Sequence, residues 1–304
     1  MHKTPKIWST LLLAAVLTGA LSFVLPKNHE KYLAEHFWTR KTFAQSRYDV
    51  VLMGDSRVYR GLSPEVMQDE LPGLRILNFA YSNGGLNPTM FRAAESKLNN
   101  SSEKKVIVMG VAANTITEYT ENNMQFIQEL SRPREEIIER LYFGQIKYWF
   151  SPTSPEGIKE LVRGDEPASY YTNEYYLNGY VKSVLFPPDT MRAIPSYIKD
   201  FTHYKVDNDK LESLFSQIST WTDDGIVVLG FRPPVSHPMY MLEDTMGLYN
   251  EAAIKAGFIQ TGGYWLDLNH TDYKTYDGSH LKVESAVKLS RKVGSEIKSI
   301  LQKP

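Results

Sequence analysis

The chain has 304 residues, a formal net charge of −1 and no cysteine. That length can bury one large α/β core or two small ones. The missing cysteines exclude disulfides, thiolate catalysis and Cys-ligated metal sites, and the scattered Lys and Arg form no basic block of the kind that binds nucleic acid.

The N-terminus is basic, MHKTPK, and leads into IWSTLLLAAVLTGALSFVLP, Ile7 to Pro26, an uncharged run of about bilayer-spanning length as a helix. Lys3 and Lys6 favour a cytoplasmic start, although Lys27, Lys31 and Arg40 dilute the asymmetry. The remainder is therefore expected outside the cytoplasm, in the periplasm or at the cell surface. A cleaved signal peptide is the rival reading, since Thr18-Gly19-Ala20 offers small residues. The apolar run continues past them through Phe23, Val24 and Leu25, which favours an uncleaved transmembrane anchor over residues 1–26. Residues 27–46 read as a linker helix, with Tyr32, Leu33, His36, Phe37 and Phe43 near helical spacing. His29 and His36 read there as packing or surface residues, not ligands.

The domain proper is expected over 47–304. Apolar runs bounded by turn residues occur at DVVLMG (49–54), LRILNFA (74–80), KVIVMGVAA (105–113), GIVVLGF (225–231) and YWLDL (264–268), each suited to a strand buried on both faces. Helix patterns lie between them: SPEVMQDELP, with Ser63 as N-cap and Pro64 at N1, PTMFRAAESKLNN, DKLESLFSQISTWT, and MLEDTMGLYNEAAIKAG ending at Gly257. The alternation predicts an α/β fold, a three-layer sandwich around a mainly parallel five-stranded sheet, with ligand bound at the carboxyl ends of the strands. Residues 118–200 break the rhythm. They are rich in aromatics and prolines, as in LYFGQIKYWFSP and SYYTNEYYLNGY, and are expected to form an insertion over the mouth of the site. A compact insert with its own small core has the same composition.

The first strand stops at Gly54-Asp55-Ser56. A Ser at a strand-to-helix turn exposes its hydroxyl at the sheet's carboxyl edge, with an N–H aimed where an oxyanion forms. A hydroxyl is a weak nucleophile until an imidazole takes its proton and a carboxylate orients that imidazole. Asp277 and His280 supply such a pair, three apart in a turn before the last amphipathic helix. A second pair, Asp267 and His270, is the decoy; with Asp272 nearby, His270, Asp272, Asp277 and His280 could also be drawn as a metal cluster. The later pair is preferred because it directly precedes the final helix, and no metal or other cofactor is expected.

With these blocks at its two ends, the sequence resembles the SGNH, or GDSL-like, hydrolase superfamily. Gly54-Asp55-Ser56 matches that family's first block and Asp277-Gly278-Ser279-His280 its last. The resemblance implies a flavodoxin-like fold with Ser56 as nucleophile, His280 as base and Asp277 as the orienting acid. It also implies an oxyanion hole from the Ser56 N–H, a Gly N–H after the second strand and an Asn amide after the third. Gly84 is the choice for the second donor, with Asn83 or Gly85 the alternatives. Asn114 is the candidate for the third, where Gly110-Val-Ala-Ala-Asn114 departs from the family's Gly-x-Asn-Asp. Arg57, beside the nucleophile, and Arg232, in FRPPVSHP with His237, are candidate substrate contacts; a salt bridge is the alternative for Arg57.

The resemblance implies an esterase or O-acyltransferase working through an acyl-Ser56 intermediate, and the location and the aromatic insertion favour a large surface substrate, a cell-envelope glycan or related polymer, over a metabolite. A membrane-bound O-acyltransferase is the partner suggested by analogy. A non-catalytic polysaccharide-binding or assembly protein and a lipid esterase are the alternatives.

Overall fold

A computed structural model of the chain describes residues 4–24, 29–144, 146 and 169–303. The chain divides into two compact units, one of residues 1–40 and 132–168, the other of residues 41–131 and 169–304. The expected insertion over 118–200 is shared between the two units. Its stretch 147–168, with Pro152, Pro155 and Pro167, lies outside the described residues.

The larger unit holds seven strands: β1 (Val50–Met53), β2 (Ile76–Asn78), β3 (Val106–Gly110), β4 (Tyr170–Tyr175), β5 (Val181–Phe186), β6 (Val227–Phe231) and β7 (Tyr264–Trp265). Five of them form a parallel sheet in the order β2-β1-β3-β6-β7. Each strand of this sheet falls on one of the apolar runs of the sequence. Val50 to Met53 pairs in register with Val106 to Met109, and both runs are buried throughout, which is why neither shows polar alternation. The chain leaves β1 to one side for β2 and returns past it for β3. That reversal opens a crevice at the carboxyl end of β1, where Ser56 stands.

Helices Pro64–Glu70 and Val283–Leu301 pack against each other, and helix Asn208–Asp223 packs against Pro88–Glu95 and Glu251–Gln260. Their starts follow from capping chemistry. Asn87 accepts from the Thr89 and Met90 amides at 3.2 and 3.3 Å, and Asp207 accepts from the Asp209 amide at 2.8 Å. Ser63 caps with Pro64 directly after it, as the sequence suggests.

Three elements depart from the sequence reading. The helix expected up to Gly257 is two helices, His237–Thr245 and Glu251–Gln260. Leu248 takes a left-handed φ of 57°, and Asn250 caps a fresh start by accepting from the Ala253 amide at 3.1 Å. Helix Ile194–His203 and the antiparallel hairpin β4–β5 come out of the segment expected as insertion. Gly179 lies in the hairpin turn at φ 89°, and a Cβ there would fall 1.9 Å from the Asn78 carbonyl oxygen at the end of β2. Only glycine allows that approach.

In the smaller unit the apolar N-terminal stretch forms helix Thr4–Val24, with Ile7, Trp8, Leu11, Leu12, Leu13, Val16 and Leu17 exposed. Among the described residues no helix is long and apolar enough to cross a membrane. Helix Arg134–Ile138 continues into a π-helical turn, Glu139–Phe143, where Arg140 pairs with Glu136 at 2.8 Å and Glu35 at 3.8 Å.

Candidate active site

Local chemistry makes the turn at the end of β1. Gly54 has φ 142°, and a Cβ on it would lie 2.5 Å from Val58 Cγ2, so the chain bends there only as glycine. Asp55 then caps helix Ser56–Gly61: one carboxylate oxygen accepts from the Arg57 amide at 2.9 Å, the other from Asn114 Nδ2 at 3.0 Å. Ser56 is the first helical residue, so no intrahelical carbonyl is available to its N–H.

The second half of the site comes from the loop before the last helix. Gly278, at φ 94°, lets the chain fold back. Asp277 Oδ1 accepts from the Ser279 and His280 amides at 2.9 and 2.7 Å, which leaves Oδ2 to His280 Nδ1 at 2.7 Å. The carboxylate fixes the ring proton on Nδ1. Nε2 is then the acceptor, and it lies 2.8 Å from Ser56 Oγ. The Tyr276 ring stacks against the imidazole with centroids 5.7 Å apart. Ser56, His280 and Asp277 thus meet, 224 positions apart in sequence between Ser56 and His280.

Burial pushes the His280 pKa down, and the Arg60 guanidinium pushes it further, against the opposing pull of Asp277. Burial alone would raise Asp277, but the His280 hydrogen bond and charge, with the two loop amides, outweigh it and hold the carboxyl below its ordinary value. Arg60, Asp277 and Asp55 are the charged groups that act on His280. A base with a lowered pKa stays neutral to lower pH. The acid limb of kcat/KM should therefore fall below the ordinary histidine value of 6.5 in a pH–rate profile, and a limb above it contradicts this electrostatic account.

The residues expected as oxyanion donors are placed differently from one another. Asn114 is at the site: its Nδ2 gives one hydrogen to Asp55, keeps a second, and Oδ1 is buried without a partner. Gly84 also lies at the carboxyl end of β1, but its N–H donates to the Tyr81 carbonyl at 3.1 Å, and Gly85 N–H donates to Asn123 Oδ1 at 2.7 Å. A Cβ on Gly84 would sit 2.5 Å from the Gly54 carbonyl, so close packing accounts for this glycine. Asn83 takes a left-handed φ of 50° in the same turn.

Neither Arg57 nor Arg232 faces the cleft. Arg57 is 3% exposed, with Nε 3.0 Å from Ser279 Oγ, Nη1 on Glu243 and the guanidinium over the Tyr197 ring. Arg232 binds the other Glu243 oxygen at 3.0 Å, Asp244 at 2.9 Å and Glu251 at 3.3 Å, and stacks on Tyr240. Both arginines are thus internal partners of Glu243, and the salt-bridge alternative holds for Arg57. Sequence reasoning missed Glu243, which lies 186 positions from Arg57, and also Ser279, Tyr197 and Arg60. Arg60 had a readable signal: four residues after Ser56, it falls on the same helix face.

The decoy residues go elsewhere. His270 stacks on Tyr240 at 4.1 Å and approaches His237, while Asp267 pairs with Lys255 at 2.6 Å. Among the described residues no three His, Asp or Glu side chains converge as a metal site.

No protein-family model matches the chain, and no curated protein matches it. Among solved structures it is similar to a proposed platelet activating factor from Streptococcus pneumonia, at 12% identity over 96% of this chain and 99% of that one, with a TM-score of 0.35.

Proposed function

We propose that the chain is a serine-dependent acyl-ester hydrolase or O-acyltransferase of the SGNH type, with an acyl-Ser56 intermediate. The observation that carries this reading is the relay from Ser56 Oγ through His280 to Asp277, with both hydrogen bonds under 3 Å. Ser56 Oγ attacks the ester carbonyl as its proton passes to His280 Nε2, and Asp277 stabilises the imidazolium. The Ser56 N–H and the second Nδ2 hydrogen of Asn114 receive the oxyanion. Collapse returns the proton from His280 to the leaving alcohol. Water, or the hydroxyl of an acceptor, then repeats the steps in reverse to release the acyl group.

The finer reading rests on the sequence. The run from Ile7 to Pro26 and its basic flank support a membrane anchor with the site outside the cytoplasm, which favours a cell-envelope glycan or related polymer as substrate. A membrane-bound O-acyltransferase is the proposed partner if the acyl group is transferred. One observation favours a non-catalytic binding protein instead: the Gly84 amide is engaged by Tyr81, which leaves the oxyanion hole one donor short.

Incubating the full chain in detergent with an activated acetyl ester and, in parallel, with an acetylated polysaccharide separates the two. The enzyme reading expects saturable release of acetate or its transfer to an added polyol. Polysaccharide binding by a folded protein without release from either ester supports the binding protein.

A further inference from the structure

Arg60 occupies an unusual position for an arginine. Its Nη1 lies 3.1 Å from His280 Nε2, the nitrogen that Ser56 Oγ approaches at 2.8 Å. An imidazole that donates from Nδ1 to a carboxylate has one lone pair, in the ring plane at Nε2, and that lone pair accepts one well-formed hydrogen bond. Arg60 and Ser56 compete for it.

Unlike Arg57 and Arg232, Arg60 has no carboxylate of its own: among the described residues it forms no ion pair, and its Nε is buried without a partner. Aromatic faces hold it in place, with the guanidinium carbon 5.1 Å from the Tyr59 centroid and 5.9 Å from that of Tyr171. The adjoining cleft, lined by Tyr171, Leu185, Tyr276 and Asp277, adds the exposed Arg192. Burial works against the Arg60 charge, and Asp277, the carboxylate that acts on it, is already bonded to His280 and two loop amides, so a substrate oxyanion is what meets the guanidinium in its own fork geometry.

We propose that Arg60 recognises an oxyanion, phosphate or carboxylate, that the substrate carries close to the scissile ester, and that binding this group draws the guanidinium from His280 Nε2 and leaves the lone pair to the Ser56 hydroxyl. The inference rests on the hydrolase or transferase reading above. An anionic ester therefore meets a free base, while a neutral ester meets one shared with Arg60.

The test measures rates of adduct formation on Ser56, by mass spectrometry of the full chain, for three aryl phosphonates of equal size: neutral, carboxylate-bearing and phosphate-bearing. The wild-type protein should react about tenfold faster with at least one charged probe than with the neutral one, the scale of one charge-assisted hydrogen bond. The faster of the two charged probes identifies the oxyanion. Arg60→Met should bring that ratio close to one, and Arg60→Lys should keep part of it. Equal wild-type rates for all three probes overturn the inference even where Arg60→Met fails to fold, and so does a preference that survives in a folded Arg60→Met. Absence of any Ser56 adduct on folded wild-type protein overturns the hydrolase reading, and the inference with it.

Discussion

Ser56→Ala is expected to lower acyl-ester turnover by about 10⁴-fold or more, and His280→Ala by a similar factor, because each removes a partner without which the relay does not operate. Asp277→Asn keeps the shape but loses the charge that fixes the His280 tautomer, and a loss of about 10⁴ is expected for it as well. The double variant Ser56→Ala/His280→Ala should be little worse than either single one, since residues that act as a unit are not additive. All should keep the far-UV circular dichroism of the parent, because Ser56 loses only a hydroxyl at the edge of the core. His270 is the control. It stacks on Tyr240 away from Ser56, so His270→Ala should retain activity, and an inactive His270→Ala beside an active His280→Ala contradicts the assignment.

The largest stability effect is expected at Glu243. Its side chain is fully buried, with one oxygen on Arg57 and the other on Arg232. Burial works against the charge of Arg57, and Glu243 overrides it and holds the guanidinium above its ordinary pKa. Glu243→Ala leaves Arg57 buried without its ion-pair partner, beside an Arg232 that keeps Asp244 and Glu251, at a cost of about 3–5 kcal/mol. Glu251 pairs with Arg232 from a partly exposed position, so Glu251→Ala should cost about 1 kcal/mol or less. Urea denaturation of the two variants checks the ranking, and equal midpoint shifts contradict it. Through Arg57 and its bond to Ser279, the same carboxylate ties the helix of Ser56 to the loop that carries His280.

Much of this was legible in the sequence because its signals are local. Five apolar runs mark the five strands of the sheet, and the run is clearest where the strand is buried throughout, as in β1 and β3; the edge strand β7 is short and leaves Tyr264 exposed. Gly54 and Asp55 announce the turn before Ser56 because the bend needs φ 142° and the helix needs a cap. What escaped reading is long-range or shared. Helices His237–Thr245 and Glu251–Gln260 read as one helix, and the left-handed Leu248 and the cap at Asn250 separate them. No spacing rule joins Arg57 to Glu243 or Arg232 to a common counter-ion, so Arg232 reads as a substrate contact and Arg57 stays open between a substrate contact and a salt bridge. Gly84 suited an oxyanion donor by position, yet its amide belongs to a turn and its missing side chain to close packing against Gly54. The hairpin β4–β5 lay hidden in aromatic composition that suits an insert, a binding surface or a core equally well.

The proposed chemistry depends on activation of the Ser56 hydroxyl by His280. It is tested most directly by treating the full chain with a serine-directed aryl phosphonate and mapping the adduct by peptide mass spectrometry, with Ser56→Ala and His280→Ala alongside. One adduct is expected, on the peptide carrying Ser56, absent from Ser56→Ala and strongly slowed in His280→Ala, if His280 activates Ser56. A folded protein that stays unlabelled, or is labelled at another residue or at Ser56 with undiminished rate in His280→Ala, contradicts it.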